Sequence, residues 1–492
     1  MKPTKIVYFI CFVFLLLFLV MAIMPSGGYT IYGDFKLKFP TLAGFFIPEH
    51  TEKKDISFII EDIPTESLYL NVSLDSHSDS LQMAVNDSLR QTLSKIQYPG
   101  GDRSILYSFF EKLNLASTSK SRVRIMHYGD SQLEGDRITG IIRQKLQGDF
   151  SGDGPGMFPI IPVSTKDWSN NKYSDNWKRY TGFGNIDTSV NHKNYGALLT
   201  FSRFTDFNAD SLRADTAFHY AWFEITPSSR PGSKSSIFRE ITMFYDNCTM
   251  PVFIQVFKDN ELVREDLLPV SNVLSQYKIV FDSPASTIKF TFKTKISPDI
   301  LGFSISSPTG IIADNIPIRG GSGTEFSKIN REHLSRMLNM LQPDLFIMQF
   351  GGNVLPYIDS EKECKDYGEW LEAHLRLIKK MIPKADVILI GPADMSIKEG
   401  DEYITHPFLE QVRDALKNAA FNTGSAYWDM YEAMGGKNSM PLWVDAEPAL
   451  AAKDYIHFST KGASKIAGMF YETFSNDYKK WKQKHKNEKT IP

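Results

Sequence analysis

Val123-Arg-Ile-Met-His-Tyr-Gly-Asp-Ser-Gln-Leu-Glu-Gly-Asp136 predicts a buried strand, a sharp turn and the beginning of a helix. The apolar run at 123–126 is typical of a buried strand, and apolar residues recur at helical spacing over 138–146. Gly129 marks the turn between the two elements. We therefore expect Ser131 to present its hydroxyl at the carboxyl edge of a sheet, close to helix-terminal N–H groups, which suits acyl chemistry.

The turn is not the G-x-S-x-G elbow of the α/β-hydrolases. Asp130 and Gln132 flank Ser131, whereas that strained turn needs small residues nearby. The sequence therefore indicates a serine-hydrolase fold of another kind.

The composition sets limits on the class of protein. A chain of 492 residues is long enough for two or three domains. The net charge of −2 gives no reason to expect a nucleic-acid partner. The 3 cysteines form no C-x-x-C motif, so neither a disulfide framework nor a cysteine zinc site is expected. No motif for a metal, a nucleotide or another cofactor is present.

The amino-terminal residues predict a membrane segment. Lys2 and Lys5 precede an uninterrupted apolar run from Ile6 to Met24, which is nearly long enough to span a bilayer as a helix. We expect residues 1–24 to be an uncleaved signal anchor; a cleaved signal peptide is the alternative. The rest of the chain would then lie in the periplasm or outside the cell.

The remaining chain divides by its periodicity. Strand and helix patterns alternate on both sides of a region that is rich in short β-type runs, which predicts an α/β domain with a parallel sheet interrupted by an all-β sandwich. The predicted segments are a membrane-proximal linker at 25–97, the first part of the α/β domain at 98–150, the inserted sandwich at 151–306, the second part of the α/β domain at 307–482 and a basic tail at 483–492.

A serine acts as a nucleophile only when a base takes its proton and a third group orients that base. Asp454-Tyr-Ile-His457 is the best candidate for both, because a spacing of three in a turn lets the two side chains point the same way. We therefore predict a triad of Ser131, His457 and Asp454.

An oxyanion needs two or three fixed donors. The sequence offers the backbone N–H of Ser131, the N–H of a glycine in Arg319-Gly-Gly-Ser-Gly323, and the amide of Asn353 in Gln349-Phe-Gly-Gly-Asn353. Glycine permits a close backbone approach to a ligand. The alternative interpretation is that both segments are only loops.

These residues resemble the SGNH, or GDSL-type, hydrolase family. Its first block is matched by Gly129-Asp130-Ser131, with Gln132 in place of the usual leucine. Its second is matched best by Gly320, and its third by Gly351-Gly352-Asn353, where Val354 stands in place of a frequent acidic residue. Asp454 and His457 match the fifth block.

The resemblance covers about residues 98–150 and 310–481. It implies a flavodoxin-like three-layer α/β sandwich, a Ser131–His457–Asp454 triad, and an oxyanion hole formed by Ser131, Gly320 and Asn353. The interrupted domain is also similar to bacterial peptidoglycan O-acetylesterases, whose insert resembles a carbohydrate-binding module. Aromatic residues of the insert could stack on sugars, although buried core aromatics are commoner in a sandwich; these residues are Trp168, Trp177, Tyr180, Tyr195 and Trp222.

The sequence therefore predicts an exported, membrane-anchored serine esterase that removes acyl groups, above all acetyl, from an envelope or extracellular polysaccharide such as peptidoglycan. The same acyl-enzyme could pass its acyl group to a sugar, as an O-acetyltransferase working with a membrane acyltransferase partner. A glycan-binding protein without catalytic activity is the alternative of another class.

Overall fold

The computed structural model describes residues 3–23, 29–32, 35–37, 95–119, 121–163, 169–207, 217–227 and 237–488. The chain forms two units, Met1–Asp55 and Ile56–Pro492. The strands, numbered in chain order, are β1 (Tyr29–Tyr32), β2 (Phe35–Leu37), β3 (Ile96–Gln97), β4 (Arg122–Gly129), β5 (Gly156–Phe158), β6 (Ser169–Tyr173), β7 (Lys178–Thr181), β8 (Thr200–Arg203), β9 (His219–Pro227), β10 (Phe238–Asp246), β11 (Val252–Lys258), β12 (Glu261–Leu268), β13 (Ser275–Ala285), β14 (Ile288–Thr294), β15 (Asp299–Ser306), β16 (Gly310–Pro317), β17 (Leu345–Gln349), β18 (Asp386–Ile390), β19 (Ser396–Glu399), β20 (Glu402–Thr405) and β21 (Ala426–Trp428).

The α-helices follow the same convention. They are α1 (Pro3–Ile23), α2 (Tyr107–Ser119), α3 (Thr139–Phe150), α4 (Arg331–Leu341), α5 (Glu361–Met381), α6 (Leu409–Asn422), α7 (Met430–Met434), α8 (Ser439–Asp445) and α9 (Thr460–Glu488).

The first unit contains α1 and the antiparallel hairpin β1–β2. Within α1, Thr4–Ile23 is 20 residues long with a mean hydropathy of 3.2, which is enough to cross a membrane by length and composition. A signal sequence has the same properties. Most of the predicted linker at 25–97 lies outside the described residues.

The second unit is built on a six-stranded sheet in the order β16-β4-β17-β18-β21-β3. All its pairings are parallel except that of β21 with β3. Numbered by chain position, the five parallel strands have the order 2-1-3-4-5, which is the flavodoxin-like arrangement. The predicted α/β fold with a parallel sheet is therefore present.

Alternate residues of the strands enter two separate cores, one on each face of this sheet. On β4, Val123 and Ile125 pack into one core, which also takes buried residues of α2, α3 and α9. Met126 and Tyr128 pack into the other, which takes residues of α4, α5 and α6. Helices thus cover both faces, as parallel sheets require.

Local chemistry fixes where these helices begin and end. In α5, the Ser360 side chain accepts a hydrogen bond from the N–H of Glu363 at the first turn, and Lys379 and Lys380 lie in the last turn. Acidic residues near the amino end and basic residues near the carboxyl end both complement the helix dipole.

The inserted segment forms two antiparallel sheets, with strand orders β13-β10-β15-β8-β7 and β12-β11-β14-β9-β6. The ring of Phe303, on β15 of the first sheet, has its centroid 5.1 Å from those of Phe223 and Phe290, on β9 and β14 of the second. The two sheets therefore pack face to face. On β14, Ile288, Phe290 and Phe292 face this core while Lys289, Thr291 and Lys293 alternate outward, as the sequence predicts.

Most of the aromatic residues proposed to stack on sugars are core residues instead. Trp177, Tyr180 and Tyr195 are buried. The Trp177 ring packs against Phe204, with ring centroids 4.9 Å apart. Because these three side chains face inward, the structure favours the alternative interpretation of them as buried core aromatics. Trp222 is half-buried beneath the Lys289 ammonium, and Trp168 lies outside the described residues.

Candidate active site

Ser131 lies immediately beyond the carboxyl end of β4. Gly129 ends the strand, where a Cβ atom would meet the Leu133 side chain at 2.7 Å and the Gln349 carbonyl oxygen at 3.0 Å. Asp130 then caps a 3₁₀ turn over Ser131–Asp136, its carboxylate accepting a hydrogen bond of 2.9 Å from the N–H of Gln132. This cap holds the Ser131 hydroxyl up at the edge of the sheet.

The predicted histidine and aspartate meet this serine. The Ser131 Oγ lies 2.8 Å from the His457 Nε2, and the His457 Nδ1 lies 2.8 Å from the Asp454 Oδ2. Since an ionised carboxylate only accepts hydrogen bonds, Nδ1–H donates to Asp454, and Nε2 of the neutral ring accepts from the serine hydroxyl. The arrangement is that of a serine activated by an oriented base.

Backbone geometry shapes the loop that carries both groups. The other carboxylate oxygen of Asp454 accepts hydrogen bonds of 3.0 Å from the N–H groups of Ile456 and His457. Tyr455 between them has a φ of 58°, in the left-handed region. Partial burial opposes the charge of Asp454, but hydrogen bonds from His457 and Ile456 hold the pKa of its carboxyl below the usual range. The carboxylate is therefore ionised when the ring needs an acceptor.

The predicted oxyanion residues are not all brought together. Asn353 lines the same pocket as Ser131 and His457, and its Nδ2 donates to the Gly321 carbonyl oxygen at 3.0 Å. Gly320 is exposed in the turn after β16, with a φ of 73°, and lies outside the residues that line this pocket.

A pocket of about 140 Å³ opens beside Ser131. Its polar lining includes the serine, the histidine ring and the Asn353 amide. The other side is formed by apolar groups from the loops after β18 and before α9 and from the start of α7, so a small acyl group could lie there beside the Ser131 oxygen. These apolar residues are Pro392, Ala393, Met395, Met430 and Ile456.

Asp130 is an electrostatic feature that the sequence alone did not reveal. Burial raises the pKa of its carboxyl from the usual 3.8 to about 6, with the hydrogen bond from Gln132 opposing this in part. The side chain lines the pocket but is only 7% exposed. The motif gives the residue, while its burial is visible only in the folded chain.

Other titratable residues near the turn have structural partners. His127 is buried and hydrogen-bonded to the Thr139 hydroxyl. Burial lowers the pKa of its ring to about 3, so the ring is neutral and packed in the core. Asp136 forms a buried ion pair with Arg143 at 2.7 Å. These groups hold the turn in place.

Neither a protein-family model nor a curated protein matches the sequence. A solved peptidoglycan O-acetylesterase matches 76% of this chain and 96% of its own, with 20% identity and a TM-score of 0.59. The chain has the SGNH-hydrolase fold. The SGNH resemblance read from the short motifs is thus confirmed at the level of the fold.

Two other solved structures match smaller parts of this chain. A family two carbohydrate esterase from Clostridium thermocellum, solved with cellohexaose, is 9% identical and has a TM-score of 0.25; the match covers 53% of this chain and 93% of that one. A psychrotrophic esterase from Pseudoalteromonas is 14% identical and has a TM-score of 0.25; the match covers 34% of this chain and 79% of that one.

Proposed function

We propose that the protein is a serine esterase that removes O-acetyl groups from an envelope or extracellular polysaccharide. The observation that carries this proposal is the continuous chain of hydrogen bonds from the Ser131 hydroxyl through the His457 ring to the Asp454 carboxylate. Such a chain activates a hydroxyl that is otherwise a poor nucleophile.

In the proposed reaction, the Ser131 Oγ attacks the ester carbonyl while its proton passes to the His457 Nε2. The new oxyanion is stabilised by the N–H of Ser131 and the amide of Asn353. When the tetrahedral intermediate collapses, the imidazolium gives its proton to the leaving sugar oxygen and the acyl group stays on Ser131. Water then attacks the acyl-enzyme with His457 as base, which releases acetate and restores the hydroxyl.

The size of the pocket supports a short acyl group. A water molecule occupies roughly 30 Å³ of liquid, so a pocket of about 140 Å³ has room for an acetyl group. Its apolar wall suits a methyl group, since burying a CH₂-sized group contributes about 0.8 kcal/mol.

A solved structure of the same fold supports the choice of polysaccharide, and the amino-terminal helix supports the location of the catalytic part. One solved structure with the same fold is a peptidoglycan O-acetylesterase, and we propose that this chain acts on the same class of substrate. The apolar segment Thr4–Ile23, preceded by Lys2, supports an anchor with the catalytic part outside the cytoplasm.

The test uses the full chain in detergent with p-nitrophenyl acetate or O-acetylated peptidoglycan, with and without an oligosaccharide acceptor. Native protein, Ser131→Ala and Ser464→Ala are compared. Ser464 is a half-buried serine on α9 whose hydroxyl donates to the Thr460 carbonyl oxygen, and it serves as the matched control. We expect Ser131-dependent release of free acetate, with Ser464→Ala equal to native protein. Acetylated oligosaccharide as the main product would replace the esterase with a transferase. Equal turnover in Ser131→Ala would refute both.

A further inference from the structure

We infer that Gln132 and Arg137 are positioning residues that clamp the His457 loop onto the Ser131 turn. The inference rests on the proposed function, since it concerns the alignment of a base and its nucleophile. It adds two residues that do not touch the reacting atoms and to which the motif comparison gives no role.

The alignment needs a clamp because the catalytic side chains are not held by burial. Ser131 and His457 are 326 positions apart in the chain. The side chains of His457 and Asp454 are 38% and 47% exposed, so water competes for their hydrogen bond. Exposed pairs of this kind contribute little to the order of a loop.

Gln132 forms hydrogen bonds to the residues on both sides of His457. Its Nε2 donates to the Ile456 carbonyl oxygen at 2.8 Å, and its Oε1 accepts from the N–H of Phe458 at 3.2 Å. The side chain is only 7% exposed. One orientation of the amide satisfies both contacts, because the reversed amide would set oxygen against oxygen and N–H against N–H. The SGNH family usually has leucine at this position, and a leucine side chain can make neither hydrogen bond.

Arg137 fastens the same two segments through their carbonyl groups. Its Nη1 donates to the Phe458 carbonyl oxygen at 2.7 Å and its Nη2 to the Ser131 carbonyl oxygen at 3.2 Å. Its Nε donates to the Glu134 carbonyl oxygen at 2.9 Å, which keeps the guanidinium in place on the turn. Hydrogen bonds from a charged donor are stronger than neutral ones. Gln132 and Arg137 together thus join Ser131 to both neighbours of His457.

Gln147 provides a matched control for loss of a buried glutamine. It is fully buried on α3, and its Nε2 donates to the Gly154 and Ile311 carbonyl oxygens at 3.0 and 3.2 Å. Ile311 lies at the start of β16, whereas Ser131 follows the end of β4, its parallel neighbour. Replacing Gln132 or Gln147 by methionine keeps the length of the side chain and removes its hydrogen bonds.

The kinetic test compares native protein, Gln132→Met, Arg137→Met and Gln147→Met on p-nitrophenyl acetate. We expect kcat to fall about 10- to 100-fold in Gln132→Met and in Arg137→Met, with KM changed less than about twofold, because misplacement of a reacting group affects the chemical step. Gln147→Met should lower the melting temperature yet keep kcat within about twofold of native. A fall in kcat in Gln147→Met equal to that in Gln132→Met would overturn the inference.

Hydrogen exchange followed by mass spectrometry tests the clamp without relying on activity. Exchange over residues 452–459 should be faster in Gln132→Met than in native protein and unchanged in Gln147→Met. Equal exchange in native protein and Gln132→Met would refute the clamp, whatever the kinetics. If native protein shows no Ser131-dependent turnover, the proposed function fails, and the exchange measurement still decides whether Gln132 holds the loop.

Discussion

Asp130→Asn should make the protein more stable at alkaline pH. The Asp130 carboxyl is buried beside the pocket, and burial raises its pKa from 3.8 to about 6. The folded protein therefore holds a proton between these two values that the unfolded chain has already released, and its stability falls as the pH rises through this window. Asparagine keeps the oxygen that accepts from the N–H of Gln132 but carries no charge.

The size of the effect follows from the two pKa values. The interval between 3.8 and about 6 corresponds to about 3 kcal/mol of destabilisation once the carboxyl is ionised in both states. We therefore expect Asp130→Asn to gain up to about 3 kcal/mol over native protein at about pH 8, and almost nothing at about pH 4.

Urea unfolding, followed by tryptophan fluorescence between about pH 4 and about pH 8, measures the difference in the free energy of unfolding between Asp130→Asn and native protein. Asp102→Asn is a control of opposite sign, because hydrogen bonds from Ser104 lower the pKa of the exposed Asp102 carboxyl. That variant should be less stable than native protein throughout this range, because the difference closes only as the pH falls below the usual pKa of 3.8. A gain for Asp130→Asn that is the same at both ends of the range, or absent at about pH 8, would refute the reasoning.

Substitutions at three further positions test the site and the inserted domain. The Tyr403 ring stacks on Tyr455 with centroids 3.6 Å apart, so Tyr403→Ala should lower kcat several-fold while Tyr403→Phe, which keeps the stack, stays near native in the same assay. Asn353→Ala should lower kcat on p-nitrophenyl acetate about 100-fold with little change in KM, the loss typical of an oxyanion donor; an unchanged kcat would remove Asn353 from that role. Trp177→Ala should cost about 3–5 kcal/mol in urea unfolding, because the ring is buried, and should leave the kcat of the folded enzyme unchanged.

The sequence predicted the parallel part of the central sheet well because its strands have apolar signals of their own. In β17, Leu345 begins a run that is buried throughout, and in β4 the apolar residues lead directly into Gly129. Both patterns arise from burial on two faces and are visible without tertiary information. The same holds for β14, whose strict alternation reflects one buried and one outward face.

Elements defined by their neighbours were missed. The two residues of β3, predicted to lie in the linker, pair with β21 at the sheet edge and are too short to show a period. The β12 strand is exposed along most of its length, so it carries charged residues in place of an apolar pattern. Edge strands are held by backbone pairing to a neighbour, which leaves little trace in their own sequence.

The candidate site was likewise predicted only in part. The order of the motifs predicted that Ser131, His457 and Asp454 would meet, and their side chains lie at hydrogen-bond distance. Gly320, chosen as the best match to the second block of the SGNH family, lies in an exposed turn outside the pocket lining. Contacts such as those of Gln132 depend on side-chain positions across distant segments, which a motif does not specify.

Trapping the acyl-enzyme tests the central claim most directly. Native protein is mixed briefly with p-nitrophenyl acetate, quenched in acid and digested, and the peptides are examined by mass spectrometry. We expect acetyl on the peptide that contains Ser131. We expect none on that peptide in Ser131→Ala or His457→Ala. Acetyl found on other residues alone, or the same labelling of this peptide in His457→Ala, would contradict the account.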